Sequence, residues 1–179
     1  MNKYMQRDYL RHTWINPKLI SGKSIIHGEG VFSKGKIVLG EKIMEFGGKL
    51  ISRQQAFSDN YRIRSVWPID QDRYLALPNS DTQESLDENL NHSCDANAWL
   101  ADEVTLVAKK DINSGEEITM DQGTWNFEND SYTDNKKPCS CGAINCRHVL
   151  TKDDWKIPSV RENYKGHFHP MIQKIIDRE

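Results

Sequence analysis

The sequence predicts a mainly β, strand-dominated domain, on three observations. From Ser24 to about Met120, short apolar runs alternate with turn residues at strand spacing. A helical apolar face is found near the end, where Pro170 to Asp177 brings Met171, Ile172, Ile175 and Ile176 together. The length of 179 residues suits one domain with a core of its own.

Taken in order, residues 1–21 read as a polar lead-in, in which Pro17 would end any early helix. Ile25-Ile26 and Val31-Phe32 flank the pair Gly28 and Gly30. Lys42-Ile43-Met44-Glu45-Phe46 stops at Gly47-Gly48, as a strand stops at a turn. Tyr74-Leu75-Ala76-Leu77 ends at Pro78-Asn79. Residues 104–108 are apolar and β-prone, and Ile118-Thr119-Met120 follows the turn-like Asn113-Ser114-Gly115. Residues 126–138 are rich in Asn, Asp, Glu, Ser and Lys and read as an exposed loop.

Charge narrows the function classes. A net charge of −2 argues against a general nucleic-acid binder, which would show a basic stripe. An acidic protein can instead receive a basic partner, such as a lysine-bearing peptide. No apolar run of 18 residues is present, so no membrane span is expected. The polar start, Met1-Asn2-Lys3-Tyr4, has no apolar core of a signal peptide. An intracellular, cytoplasmic location is the expectation, and in a reducing compartment cysteine clusters bind metal more often than they form disulfides.

The four cysteines make that point concrete. Cys139, Cys141 and Cys146 form a Cys-x-Cys-x4-Cys knuckle, with Gly142 permitting the turn. Cys94 is the remaining thiol, and four thiolates fill a tetrahedral zinc shell. His148, two residues past the last cysteine, is the alternative ligand. Such a site pins the C-terminal segment against Asn91-His92-Ser93-Cys94 and stabilises a loop with little core of its own.

Three further segments fall in order ahead of the knuckle. They are Ser24-Ile25-Ile26-His27-Gly28-Glu29-Gly30-Val31-Phe32 with Gly40-Glu41-Lys42-Ile43, then Leu90-Asn91-His92-Ser93-Cys94-Asp95-Ala96-Asn97, then Ser114-Gly115-Glu116-Glu117-Ile118-Thr119-Met120-Asp121. Together with the cysteines, the chain resembles a SET-domain protein lysine methyltransferase with a zinc-binding post-SET segment, over about residues 22–150. The resemblance implies a β-clip fold of small curved sheets with a pseudo-knot, plus short C-terminal helices. It divides the chain into a lead-in (1–21), a SET domain (22–123), a loop (124–136), a post-SET zinc segment (137–152) and a helical tail (153–179).

It also implies S-adenosylmethionine and Zn²⁺ as cofactors, and a lysine-bearing protein or peptide as substrate. The Gly28-Glu29-Gly30 loop would meet the methionine end of the cofactor, where glycines let the backbone approach, and Phe32 is a further cofactor-binding candidate. Asn91 and His92 would fix the adenine, and Leu150, with Val149, would cover it; Trp155 could share that role or simply pack against the core. Family members usually carry proline where Ala96 stands. Glu117, Asp121, Glu128 and Asp130 could give the substrate entrance a negative potential. Phe32, Phe46, Trp99 and Trp125 are core candidates, with Phe46 and Trp125 adjoining motifs.

Methyl transfer needs a neutral amine aligned with the cofactor's S–CH₃ bond, so the protein mainly desolvates and positions. In the family a tyrosine two residues beyond the Met120 position helps this alignment; here the residue is Gln122. A second family tyrosine corresponds to Phe46, while Tyr74 and Tyr61 are candidates to supply a hydroxyl. An amide donates and accepts hydrogen bonds but lacks a phenol's rigidity and acidity. Two functions follow: a protein lysine N-methyltransferase, or a catalytically weak or inactive SET-like module that binds cofactor or peptide.

Overall fold

A computed structural model describes residues 7–126 and 137–179. Its thirteen strands are short. They are β1 (Trp14–Ile15), β2 (Leu19–Lys23), β3 (Glu29–Ser33), β4 (Lys42–Glu45), β5 (Lys49–Ser52), β6 (Trp67–Pro68), β7 (Arg73–Ala76), β8 (Asn91–His92), β9 (Ala98–Leu100), β10 (Thr105–Ala108), β11 (Glu117–Met120), β12 (Lys137–Pro138) and β13 (Val149–Leu150). Among the described residues there are also three α-helices, α1 (Arg53–Ala56), α2 (Pro158–Asn163) and α3 (Pro170–Ile176), and four short 3-10 helices. The fold is the mainly β arrangement of small sheets that the sequence implied.

The largest sheet runs β1-β4-β10-β9-β11-β3-β2, with β8 also paired to β11. In β4 the adjacent Ile43 and Met44 are both fully buried, whereas β9 and β10 alternate between buried and partly exposed residues. The strand β11 lies antiparallel to β3 and parallel to β8, with Thr119 opposite Asn91 and Met120 opposite His92. This register carries the Glu-Glu-Ile-Thr-Met segment into contact with the Asn-His segment. A smaller sheet, β5-β7-β6, packs beside it, and β12 pairs with β13 to form a hairpin around the cysteine knuckle.

Local sequence explains the helix starts. Ser52 and Gln55 form a reciprocal capping box on α1. Proline opens both α2 and α3, where its missing N–H costs nothing. In α3 the expected apolar face is real but uneven: Ile172 is fully buried, Ile176 packs at the edge of the core, and Ile175 is exposed.

Two expectations change. The expected lead-in, residues 1–21, carries β1 and most of β2, which pair with β4 and β3. No helix precedes Pro17 among the described residues; the chain turns there, with the Asn16 side chain accepting the Lys18 N–H at 2.9 Å. Ile25-Ile26 is a turn rather than a strand, closed by the Ser24 N–H donating to the Gly28 carbonyl at 2.9 Å. Gly28 has φ +50°, a left-handed conformation that glycine adopts without strain. The expected loop at 126–138 falls mostly outside the described residues, as do Glu128 and Asp130.

Candidate active site

A cavity of about 1030 Å³ opens between the large sheet, the β5-β7-β6 sheet and the cysteine hairpin. Asn91, His92, Met120 and Gln122 line it from the β8 and β11 side. Phe46, Trp67 and Trp125 form an aromatic wall, and Cys139, Cys141 and Leu150 close it from the hairpin. Phe46 stacks on Trp67 with ring centroids 3.8 Å apart, and Trp125 tilts against Trp67 at 5.0 Å. The Trp67 ring is held by its Nε1–H donating to the Glu103 carbonyl at 2.7 Å.

Of the residues singled out from the sequence, Phe46, Asn91, His92, Gln122, Leu150, Cys139 and Cys141 line this cavity. Gly28, Glu29, Gly30, Phe32 and Tyr74 do not. The glycine turn reaches the cavity through Ile26 and His27 instead. Gly30 earns its place differently: a Cβ there would collide with the Glu117 carboxylate. Phe32 packs over Gly22. Tyr74 is buried in the β5–β7 satellite core, edge-on to Phe57, so its phenol is not part of the cavity wall. Tyr61 lines a separate, more open depression.

Asn91 is the hub of the glycine turn. Its amide N–H groups donate to the carbonyls of His27 (3.1 Å) and Glu29 (3.0 Å) and to Glu117 Oε1 (2.8 Å). Ser24 Oγ donates to the other Glu117 oxygen at 2.9 Å. Glu117 is therefore an internal tie rather than an entrance charge. The same holds for Asp121, which is fully buried. Among the described residues, the wall charges are Asp87, Glu88 and Asp153 against Arg64, Lys137 and Lys152.

Asp121 receives Arg147, the residue after the last cysteine. The guanidinium donates to both carboxylate oxygens, at 2.7 and 2.6 Å, and its Nε lies 2.9 Å from Asp154 Oδ2. Burial alone would weaken the Arg147 charge, but the Asp121 carboxylate reverses this and raises its pKa. Asp121 also accepts the Gly123 N–H at 2.8 Å and so caps the 3-10 turn Gln122–Thr124. This network fixes the hairpin to the turn that carries Gln122. Only charge next to a cysteine hinted at it in the sequence; nothing marked Trp67 as a wall residue.

Three of the four sulfurs, those of Cys94, Cys139 and Cys141, converge. Cys94 Sγ and Cys139 Sγ are 3.9 Å apart. A tetrahedral zinc with Zn–S near 2.3 Å sets its sulfurs about 3.8 Å apart. Cys146 adjoins both Cys139 and Cys141. Each sulfur accepts a peptide N–H: Cys94 from Arg147, Cys141 from Cys94, Cys146 from His148, and Cys139 from Cys141. Burial pushes the Cys94 thiol up, and pushes Cys139 up to about 11. For Cys141, burial is outweighed by N–H donors from Cys94 and Ala143, and the thiol falls to about 7. Gly142 takes φ +73° at the knuckle's turn.

The donor atoms of His92, Cys94, Cys139 and Cys141 all lie within 4.8 Å of one another, and Cys146 is not part of this group. His92 Nδ1 accepts the Gln122 N–H at 3.1 Å, which places the proton on Nε2, 3.3 Å from Cys94 Sγ. Burial lowers its pKa and keeps it neutral. His92 Nε2 thus faces the Cys94 sulfur while Nδ1 anchors Gln122, and its ring is engaged on both nitrogens. His148 has φ +60° and lies outside the cluster of donor atoms. The Ala96 N–H donates to the Tyr164 hydroxyl at 3.3 Å, a bond that proline at this position could not make.

Comparison with known proteins agrees with this architecture. The SET domain model matches residues 28–123. Histone-lysine N-methyltransferase TRX1 of Oryza sativa subsp. japonica is 32% identical over 148 residues, covering 74% of this chain and 14% of that protein. Human histone-lysine N-methyltransferase 2B is 29% identical over 140 residues (72% and 5%), and human histone-lysine N-methyltransferase SUV39H2 is 28% identical over 148 residues (69% and 36%). The chain therefore spans well under half the length of these relatives. The crystal structure of KRYPTONITE in complex with mCHG DNA and SAH superposes with a TM-score of 0.56 at 23% identity, over 73% of this chain and 28% of that one. With the Asn91 and Glu117 segments paired as parallel strands and the cysteine hairpin beside them, the chain belongs to the SET-domain family.

Proposed function

We propose that the chain is an S-adenosylmethionine-dependent protein lysine N-methyltransferase. The observation that carries this reading is a single cavity lined jointly by Asn91, His92 and Gln122 from the family-matched region and by Leu150 from the cysteine hairpin. The names of the relatives and the SAH in the KRYPTONITE complex support the same chemistry. A basic, lysine-bearing peptide such as a histone tail is the proposed substrate, and the proposed location is intracellular, in the cytoplasm. Direct nucleic-acid binding is not expected at a net charge of −2; the neighbour's complex includes DNA, so a mobility-shift assay with duplex DNA tests the point.

The residues fit both cofactors. Asn91 and Leu150 would hold the nucleoside, next to the turn at His27. Cys94, Cys139 and Cys141 would hold Zn²⁺ with Cys146 as the proposed fourth ligand; the donor atoms grouped within 4.8 Å are those three and His92, whose Nδ1 is engaged by the Gln122 N–H. The bound sulfonium supplies an electrophilic methyl group. The chain's own work is desolvation and alignment. Free lysine has a pKa near ~10.4, and desolvation within the cavity would disfavour its charged form. Gln122 Oε1 can accept an N–H from the amine and so orient its lone pair.

The test is incubation with labelled S-adenosylmethionine and histones or a proteome extract. Label on protein lysine is expected; a chain that binds the cofactor yet labels no lysine defeats the reading. One observation favours the alternative of a weak or inactive binding module: no tyrosine lines the cavity among the described residues. Activity that emerges only in Gln122→Tyr would establish that alternative, and native turnover would exclude it.

A further inference from the structure

The C-terminal tail lies outside the family-matched residues 28–123, yet it reaches the cavity's aromatic wall from behind. His169 is fully buried at the N-terminus of α3. Its backbone N–H donates to the Thr124 carbonyl at 2.7 Å. Its Nδ1 accepts the Met171 N–H at 3.3 Å, so Nε2 carries the proton and donates to the Pro68 carbonyl at 3.1 Å. Burial keeps the ring neutral, which this pattern of one donor and one acceptor requires.

The two carbonyls held by His169 belong to different elements, a strand and a 3-10 turn. Pro68 follows Trp67 in β6, and Thr124 precedes Trp125 beyond β11. One residue therefore ties the backbone beside Trp67 to the backbone beside Trp125. Those two rings sit 5.0 Å apart in the wall of the cavity. The tail itself is anchored independently, by Tyr164 at Ala96, by His167 stacked on Trp99 at 3.6 Å, and by fully buried Ile172.

We propose that His169 is a positioning residue that sets the separation of Trp67 and Trp125, and through it the width of the aromatic wall that receives the substrate side chain. The Trp67–Trp125 spacing stands on geometry alone; the consequence for a lysine side chain rests on the methyltransferase reading.

Two variants isolate the link. His169→Asn keeps an acceptor for the Met171 N–H, and asparagine is a good helix cap, but its side chain is too short to reach Pro68. His169→Gln restores reach towards the Pro68 carbonyl. The readout is the near-ultraviolet circular dichroism of the tryptophan pair, assigned with Trp125→Phe. In His169→Asn the pair signal is expected to fall by at least half, and in His169→Gln to recover most of its amplitude. For an active enzyme, kcat/KM for a lysine peptide falls at least tenfold in His169→Asn while the Kd for S-adenosylmethionine stays within twofold. A folded His169→Asn with an unchanged pair signal, even one with a lowered Tm, overturns the proposal. Absent turnover in the wild type would overturn the methyltransferase reading while leaving the dichroism result to decide this one.

Discussion

Replacing Arg147 by methionine tests the coupling between the cysteine hairpin and the Gln122 turn. Asp121 is fully buried and Asp154 nearly so, at 2% exposure. Arg147 makes three close contacts with them, at 2.6, 2.7 and 2.9 Å. Methionine fills similar space but leaves two buried carboxylates without their cation. Breaking a buried pair in this way costs about 3–5 kcal/mol. In a chain of 179 residues, each kcal/mol moves the midpoint by about 2–4 °C, so Tm is expected to fall by about 6–20 °C. The Arg147 N–H that supports Cys94 is a backbone group and survives the substitution, so bound metal is expected to be retained. The assay is urea and thermal unfolding of wild type, Arg147→Met, Asp121→Asn and the double variant. Coupling of about 1–3 kcal/mol between the two positions is expected. A change below about 0.5 kcal/mol in Arg147→Met, as for an exposed side chain, would refute the reasoning.

Asn91→Ala removes three hydrogen bonds that hold the glycine turn, and the Kd for S-adenosylmethionine should rise at least tenfold, about 1.4 kcal/mol, by calorimetry. Burial lowers the pKa of His169 to about 4, against about 6.5 in the unfolded chain, even though the Pro68 hydrogen bond opposes the shift and with Lys174 and Asp70 as its charged neighbours. The unfolded state then binds the extra proton between those values, so this contribution is complete above about pH 6.5 and is lost as pH falls towards 4. Between pH 7.5 and 5 it amounts to about 2 kcal/mol in urea unfolding, and His169→Gln should remove that slope. Chelation of metal should make all four thiols reactive to Ellman's reagent and raise hydrogen exchange at residues 137–151 while leaving β4 and β10 protected; unchanged exchange there would contradict a metal-held hairpin.

Much of the fold was legible because its strands announce themselves locally. Residues 42–46 and 117–120 show apolar runs bounded by glycine turns, and they form β4 and β11. The cysteine spacing likewise pointed to a metal-capable cluster, and Cys94, Cys139 and Cys141 come together there with His92. The strands β1 and β2 were missed because their exposed residues hide the alternation; β2 buries only Leu19. Tyr74 was misplaced because a tyrosine's type says nothing about which sheet its ring faces. Asp121 and Glu117 read as surface acids, since their partners Arg147 and Asn91 are 26 residues away in opposite directions along the chain. His169 reaches Pro68 across 101 residues, and no local pattern encodes such a contact.

The most direct test of the whole account is a calorimetric titration of the metal-loaded protein with S-adenosylmethionine. The cavity shared by Asn91, His92, Gln122 and Leu150 should give one saturable site per chain. A chain that retains its metal, folds cooperatively and shows no saturable binding would contradict the account.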